Sequence, residues 1–157
     1  MKSNCKIYFL LILFFALAGK EFHAQNRNID SLLILLKTDK PDTNKVNHLK
    51  KLSLEYGKIG ELDTSMKYGN NALALASSIL FEGKRGWPNG IASGYTNIGV
   101  IYSIQGNYPA ALKKFFDALK IMEAIGNKKG VAFAYNNIGI MYFRLGNYSE
   151  GLKNHFA

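Results

Sequence analysis

The side chains that could carry out chemistry are few and widely spaced. His23, His48 and His155 are far apart in sequence and have no ligand-like partners, so they do not predict a zinc site. Residues 83–86, GKRG, lack the long spacing and the Lys-Ser or Lys-Thr ending of a phosphate-binding loop. No serine has the sequence context of a nucleophile elbow. The sequence therefore predicts a protein that is not an enzyme and needs no cofactor or metal.

Two segments near the C-terminal end have almost the same sequence. Residues 95–117 are YTNIGVIYSIQGNYPAALKKFFD, and residues 135–157 are YNNIGIMYFRLGNYSEGLKNHFA. The offset is 40 residues, and 11 of the 23 aligned positions are identical. A fixed period in this range is typical of stacked supersecondary units. The elements that position any functional residue are therefore expected to be repeats.

Each copy is predicted to form two helices around a turn. Ile98 and Tyr102 recur at helical spacing and share one face of the first helix. Gly106 then ends that helix, since glycine readily adopts the left-handed conformation just past a C-terminus. The second helix opens with Pro109 in one copy and Ser149 in the other. Proline is tolerated in a first turn, and serine is a good cap.

Gly99 and Gly139 occupy the same place inside the two first helices. A glycine in a helix interior costs about 1 kcal/mol relative to alanine, so its repetition in register needs a packing reason. The expected reason is close contact with the partner helix, where Ala111 and Gly151 lie.

This pattern resembles the tetratricopeptide repeat family over residues 90–157. The residues that match it in the first copy are Tyr95, Ile98, Gly99, Tyr102, Gly106, Tyr108, Ala111, Ala118 and Leu119. The second copy departs at Gly151, where alanine is expected, and at His155, where an aromatic residue is expected. The family's usual period is about 34 residues. The longer period resembles the long-helix branch found in exported bacterial proteins and in sensor proteins with these repeats.

Residues 43–80 form a third, weaker copy, offset by 46 residues from the next one. Tyr56 aligns with Tyr102 and Gly60 with Gly106. The extra residues are expected near 80–90, where glycine, proline and asparagine predict a loop. Trp87 in this loop is either a binding residue or folded back on the helix ends. We favour packing, because large aromatic side chains are usually well buried.

The predicted fold is therefore all-α, a right-handed α-solenoid of antiparallel helix pairs with about three repeats, the last incomplete. No strand is expected within 43–157. The predicted helices span 29–38, 43–58, 63–80, 91–105, 109–125, 131–145 and 149–157. The predicted segments are a signal peptide (1–24), an N-terminal capping helix and linker (25–42), and a repeat array (43–157) with repeats at about 43–89, 90–129 and 130–157.

Because the last helix stops at Ala157 without a capping helix, we expect the natural chain to continue.

The N-terminus has the pattern of a secretory signal peptide. Two lysines in residues 1–6 precede the apolar run 7–18, IYFLLILFFALA, which is shorter than the roughly 20 residues of a membrane span. Cleavage after Ala18, cleavage after Ala24 and an uncleaved anchor are the alternatives. Cys5 is the only cysteine, which excludes an intrachain disulfide, and it precedes the apolar run, unlike a lipoprotein cysteine. We expect export across the inner membrane to a periplasmic, secreted or membrane-attached location.

The chain is basic, with 20 Lys plus Arg, 11 Asp plus Glu and a net charge of +9. The basic residues are dispersed, and no motif that inserts into a nucleic-acid groove accompanies them. We therefore interpret the positive net charge as a contribution to solubility, and we expect no nucleic-acid partner.

The resemblance implies where a ligand binds, because the first helices of successive repeats line a concave groove in this family. The implied peptide-binding groove residues, those outside the packing stripe, are Lys50, Lys51, Leu54, Lys58, Ser93, Thr96, Asn97, Val100, Ile104, Phe133, Asn136, Asn137, Ile140 and Arg144. Asn97 and Asn137 are placed like the asparagines with which some members hold a peptide backbone, and an amide both donates and accepts as that requires. The lysines and Arg144 are suited to carboxylates. The alternative is that asparagine is simply common at that position.

Two function classes follow from the resemblance. One is an interaction module that binds a peptide or partner protein through the concave groove. The other is the N-terminal sensory region of a bacterial signal-transduction protein whose output domain, a histidine kinase, nucleotide cyclase or transcription regulator, lies beyond residue 157. Either class predicts a protein or peptide ligand. Membrane contact is expected only through the signal segment or a downstream span.

Overall fold

A computed structural model describes residues 27–155 of the protein. Within this range the chain forms seven helices and one two-stranded sheet. The elements are α1 (27–38), α2 (Thr43–Lys58), α3 (Leu62–Ser78), β1 (Leu80–Phe81), β2 (Lys84–Arg85), α4 (Pro88–Ile104), α5 (Tyr108–Ala124), α6 (Lys128–Arg144) and α7 (Tyr148–His155). Each predicted helix is present, so the all-α prediction is confirmed for the described residues. The predicted signal peptide lies outside them.

Short polar side chains cap the N-terminal ends of four helices. At the start of α2, Asp42 accepts a hydrogen bond from the backbone N–H two residues later, at 2.8 Å. Asn107, Asn127 and Asn147 accept from the N–H three residues later, at 3.2, 2.9 and 3.3 Å respectively. Asn147 therefore caps α7, and the expectation that Ser149 is the cap is wrong. Ser149 lies inside the first turn.

The first helix of each repeat ends in the same way. Gly60, Gly106 and Gly146 have φ angles of 83°, 74° and 78°, which a residue with a side chain rarely adopts. In each turn the N–H of the residue after the glycine donates to the C=O five residues before it, at 3.0, 2.9 and 2.9 Å respectively. The three turns therefore confirm the register of the repeats, including the offset of 46 residues between the first two.

The extra residues of the first repeat form a β-hairpin rather than an irregular loop. Leu80 pairs with Arg85 and Phe81 with Lys84 in antiparallel register. The turn between the strands consists of Glu82 and Gly83, which both have positive φ angles, of 50° and 75°. Two such residues match the twist of the flanking strands and close a tight hairpin. The expectation of no strand within 43–157 is therefore wrong at this position.

The helices stack in chain order. Each helix from α2 to α7 packs on the next one along the chain, and α2 also contacts α4. This order is typical of an α-solenoid, in which each repeat contacts only its neighbours. In the part of the chain from 27 to 155, no helix has both the length and the apolar character to cross a membrane.

Trp87 packs against the first repeat, as predicted. Its ring is half-buried, lies 6.0 Å from the ring of Phe81 and contacts the core of α2 and α3. Its backbone N–H donates to the C=O of Ala76 at 2.7 Å. The hairpin and the start of α4 are thereby fixed to the end of α3.

The two repeated glycines are close to the partner helix, as predicted. A Cβ atom at Gly139 would lie 3.0 Å from the carbonyl oxygen of Gly151, the residue named in the prediction. A Cβ atom at Gly99 would lie 2.7 Å from the ring of Phe115, whereas the prediction named Ala111. In both repeats the missing side chain lets the second helix approach the first.

Candidate functional site

A cavity between α2 and α4 brings together five of the fourteen predicted groove residues. These five are Leu54, Lys58, Asn97, Val100 and Ile104. The cavity has a volume of about 130 Å³, and its remaining lining residues are Ser53, Gly57, Ser65 and Ile101. The exposed surface of the wall is almost entirely apolar. We call it the α2/α4 cavity.

Small residues make room for this cavity. Ser53 and Ser65 are fully buried between α2 and α3. The hydroxyl of Ser53 donates to the C=O of Ser65 at 2.7 Å, and the hydroxyl of Ser65 donates to the C=O of Ser53 at 2.6 Å. A Cβ atom at Gly57 would lie 3.3 Å from the Ser65 hydroxyl oxygen. The two serines therefore clamp the helix pair, and both hydroxyl protons are already used.

Loss of this clamp is expected to weaken the first repeat. We expect Ser65→Ala to lower the free energy of unfolding by about 0.5–1.5 kcal/mol, the usual net value of one hydrogen bond. Urea unfolding followed by circular dichroism measures the change. Ser77→Ala is the matched control, because the Ser77 hydroxyl is exposed and donates to Leu73 within its own helix. An equal loss in both variants would contradict a special role for the buried pair.

Asn97 is the unusual residue of the α2/α4 cavity. Its side chain is only 5% exposed, and neither Oδ1 nor Nδ2 has a hydrogen-bond partner in the protein. The equivalent Asn137 is half-buried, and its Nδ2 donates to the C=O of Phe133 at 2.8 Å. The sequence makes the two asparagines equivalent, whereas the structure makes only Asn97 a buried amide without a partner.

The remaining polar groove residues on α4 and α6 are less enclosed. Ser93 and Thr96 are half-buried, and their hydroxyls donate to C=O groups of their own helix at 3.0 Å. Asn136 is also half-buried, and Arg144 is exposed. The hydroxyl protons of the first two are therefore satisfied locally, whereas the side chains on α6 remain accessible.

The three predicted groove lysines on α2 have different surroundings. Burial lowers the pKa of the half-buried Lys50 ammonium from its ordinary value. Lys51 lines a different cavity, between α1 and α2, together with Glu55. Lys58 is exposed, and its Nζ atom lies 2.7 Å from Glu55 Oε1. The three ammonium groups therefore differ in burial and in their surroundings, and their predicted role in binding carboxylates stays a prediction.

Apolar side chains recur along the predicted groove face. Leu54, Val100 and Ile140 are separated by the two repeat offsets, 46 and 40 residues, and so occupy the same position on α2, α4 and α6. Leu54 is 43% exposed and Ile140 is 41% exposed. Phe133 and Ile104, on the same helices, are 56% and 54% exposed. Core packing does not account for this exposed apolar surface.

A metal site does not form among the described residues. His48 Nδ1 lies 2.7 Å from Asp39 Oδ2, which gives the histidine one carboxylate partner. No group of three or more His, Cys, Asp or Glu residues is close enough in residues 27–155 to hold a metal ion.

Comparison with known proteins agrees with the repeat pattern. Residues 90–153 match the model of the tetratricopeptide repeat family. No curated protein matches the chain. The match does not distinguish a period of 40 residues from the usual one, so the resemblance to the long-helix branch stays a prediction.

Three crystal structures illustrate the structural likeness. The fold is similar to BtubC from P. vanneervenii with a TM-score of 0.65 and 18% identity, over 87% of this chain and 53% of BtubC. It is similar to the TPR domain of Arabidopsis FLU with a TM-score of 0.62 and 21% identity, over 71% of this chain and 88% of that domain. It is similar to a Rap protein complexed with competence and sporulation factor, with a TM-score of 0.70 and 19% identity, over 85% of this chain and 35% of the Rap protein.

These likenesses show the fold. The chain spans about half the length of BtubC and about a third of the Rap protein. Together with the matched repeats at 90–153 and the three equivalent glycine turns, they identify a tetratricopeptide repeat array. Residues 90–153 are therefore similar to the tetratricopeptide repeat family, and the described residues have the fold of such a repeat array.

Proposed function

We propose that the chain is an interaction module that binds an extended peptide, or an extended segment of a partner protein, along the face formed by α2, α4 and α6. The observation that carries the proposal is the row of equivalent apolar residues Leu54, Val100 and Ile140. Two of these three side chains are more than 40% exposed although they are aliphatic. Successive repeats of a solenoid stack side by side, so residues at one repeat position form a row, and a row of exposed apolar side chains favours an interaction site over chance exposure.

The polar residues on the same face fit a peptide backbone. Asn137 uses Nδ2 within its own helix and keeps Oδ1 as an acceptor for a ligand N–H. The half-buried Lys50 gains from an anionic partner, because a nearby negative charge favours the ammonium form that burial disfavours. A ligand with apolar side chains, a free backbone and an acidic group therefore has the chemistry of this face.

Related folds support this role without specifying the partner. The Rap protein of similar fold was crystallised in complex with competence and sporulation factor. For the present chain, export across the inner membrane is part of the same proposal and rests on the sequence of residues 1–24.

The proposal is tested with peptides selected from a random 12-residue display library against the full chain. We expect the double variant Leu54→Ser, Ile140→Ser to bind a selected peptide at least about tenfold more weakly by calorimetry, because two apolar contacts of roughly 1 kcal/mol each are lost. Both residues are exposed, so the free energy of unfolding is expected to change by no more than about 0.5 kcal/mol for each substitution.

Leu80→Ser is the matched control. Leu80 is 78% exposed on the β-hairpin and lies outside the proposed face. The Leu80→Ser variant should bind the selected peptide with the affinity of the wild type. If the double variant and the control bind the peptide with equal affinity, the proposed groove is not the binding site.

A further inference from the structure

A second cavity lies between α1 and α2 and shares no lining residue with the α2/α4 cavity. We call it the α1/α2 cavity, and its lining residues are Asn28, Ser31, Leu32, Lys51 and Glu55. Its volume of about 370 Å³ is within the range of roughly 300–1,000 Å³ that is typical of small-molecule sites. The three residues of α1 and the two of α2 recur at helical spacing, so each set lies on one face of its helix.

Lys51 and Glu55 give this cavity one charge of each sign, and the two side chains do not pair with each other. Glu55 Oε1 instead accepts from the Nζ atom of Lys58 at 2.7 Å. The Glu55 side chain is only 15% exposed, and a carboxylate has acceptor positions beyond the one that Lys58 occupies. Within residues 27–155, Lys51 forms no ion pair. The cavity therefore holds an unpaired ammonium group and a carboxylate that can accept another hydrogen bond.

The opposite charges restrict the ligand. A simple anion that pairs with Lys51 is repelled by Glu55, and a simple cation that pairs with Glu55 is repelled by Lys51. A zwitterion satisfies both groups through charge-assisted hydrogen bonds. The exposed side chains of Asn28 and Ser31 can each donate and accept, and the half-buried Leu32 supplies an apolar contact. A ligand with an ammonium group, a carboxylate and a small apolar group therefore has the chemistry of this cavity.

We propose that the α1/α2 cavity binds a free α-amino acid with an apolar side chain. The carboxylate of the ligand pairs with Lys51, its ammonium group donates to Glu55, and its side chain contacts Leu32. This ligand touches both helices, so its binding joins α1 more firmly to the first repeat. The site goes beyond the proposed peptide groove, because none of its lining residues belongs to the row of exposed apolar residues on α2, α4 and α6.

The first test compares leucine with two analogues that each lack one of its charges. Leucine, leucinamide (no carboxylate) and N-acetyl-leucine (no ammonium group) are titrated into the ¹⁵N-labelled full chain, and the backbone amide resonances of α1 and α2 are followed by NMR. We expect the Kd of leucine to be at least about tenfold lower than that of either analogue, because each analogue loses one charge-assisted hydrogen bond. Equal Kd values for the three probes, or no response of α1 and α2 to leucine, would overturn the inference.

The second test assigns each charge of the ligand to its partner. Lys51→Met should lose the preference for leucine over leucinamide and keep the preference over N-acetyl-leucine, whereas Glu55→Gln should show the reverse pattern. Lys58→Met is the matched control, because it removes an ammonium group from the same helix but outside the cavity. It should keep both preferences. If Lys58→Met loses the preference over leucinamide as Lys51→Met does, the overall charge of α2 selects the carboxylate and the cavity is not the site.

A third measurement separates this site from the peptide groove. The double variant Leu54→Ser, Ile140→Ser changes two exposed residues that do not line the α1/α2 cavity. We expect it to bind leucine with the Kd of the wild type, whatever its affinity for selected peptides. Loss of leucine binding in this variant would place leucine in the groove rather than in the α1/α2 cavity, and the inference would then be wrong.

Discussion

Phe115→Ala is expected to lower the free energy of unfolding by about 3–5 kcal/mol, the usual cost of removing a buried phenylalanine ring. Phe115 is 1% exposed in α5 and packs with Ala111, Ile138 and Met141. It therefore joins the second repeat to the third. Urea unfolding followed by circular dichroism should show the loss as a lower midpoint with an unchanged slope.

Phe116→Ala provides the control in the next position of the same helix. Phe116 is 42% exposed, so its truncation removes much less buried surface. We expect its effect to be well below that of Phe115→Ala. Similar losses in the two variants would mean that the face of α5 toward the core is assigned incorrectly.

Gly99 should be coupled to Phe115. A Cβ atom at Gly99 would lie 2.7 Å from the Phe115 ring, closer than real Cβ contacts allow. Gly99→Ala is therefore expected to destabilise the wild type but not the Phe115→Ala variant, which has no ring at that place. A double-mutant cycle measures this coupling, since residues in contact are not additive. Additive effects would contradict the close approach of the ring.

The repeat pattern predicted the helices better than it predicted where they begin. The sequence places the starts of two first helices at residues 91 and 131, whereas α4 begins at Pro88 and α6 at Lys128. In both cases the first turn is polar or carries proline, so it shows no apolar periodicity. The ends agree more closely, because a glycine with positive φ marks each of them.

The candidate site was only partly predictable. Helical spacing and the resemblance identified Leu54, Lys58, Asn97, Val100 and Ile104, which line one cavity. Sequence reasoning did not find that Asn97 is enclosed and Asn137 is not, because this difference depends on the neighbouring helix rather than on the repeat. The same limit applies to the lysines of α2, because burial of Lys50 and the ion pair of Lys58 with Glu55 depend on neighbouring side chains rather than on the repeat.

The paired serines show a second reason for the incomplete prediction. The offset of 46 residues places Ser53 at the position of Gly99, which indicates only a small residue, and nothing in the sequence singles out Ser65. Their reciprocal hydrogen bonds join residues 12 apart and bury both hydroxyls completely. A serine in a helix usually suggests a solvent-facing position, so tertiary packing is what decides its role.

Gly139→Leu should destabilise the last helix pair. A Cβ atom at Gly139 would lie 3.0 Å from the carbonyl oxygen of Gly151 and 3.4 Å from the backbone nitrogen of His155. Both neighbours are backbone atoms, which cannot move aside by changing rotamer. The additional carbons of leucine therefore force α6 and α7 apart, at a cost of about 1–3 kcal/mol in the free energy of unfolding.

The size of the substituent separates this effect from a change in helix propensity. Alanine and leucine are both better helix formers than glycine, so propensity alone predicts that Gly139→Ala and Gly139→Leu are stabilising. We expect thermal and urea unfolding to show the larger loss for leucine. Ala132→Leu, at an exposed position of the same helix, should leave the Tm nearly unchanged. A Gly139→Leu variant as stable as the wild type would mean that α7 does not pack against α6 through Gly151, and the register of the third repeat would then be wrong.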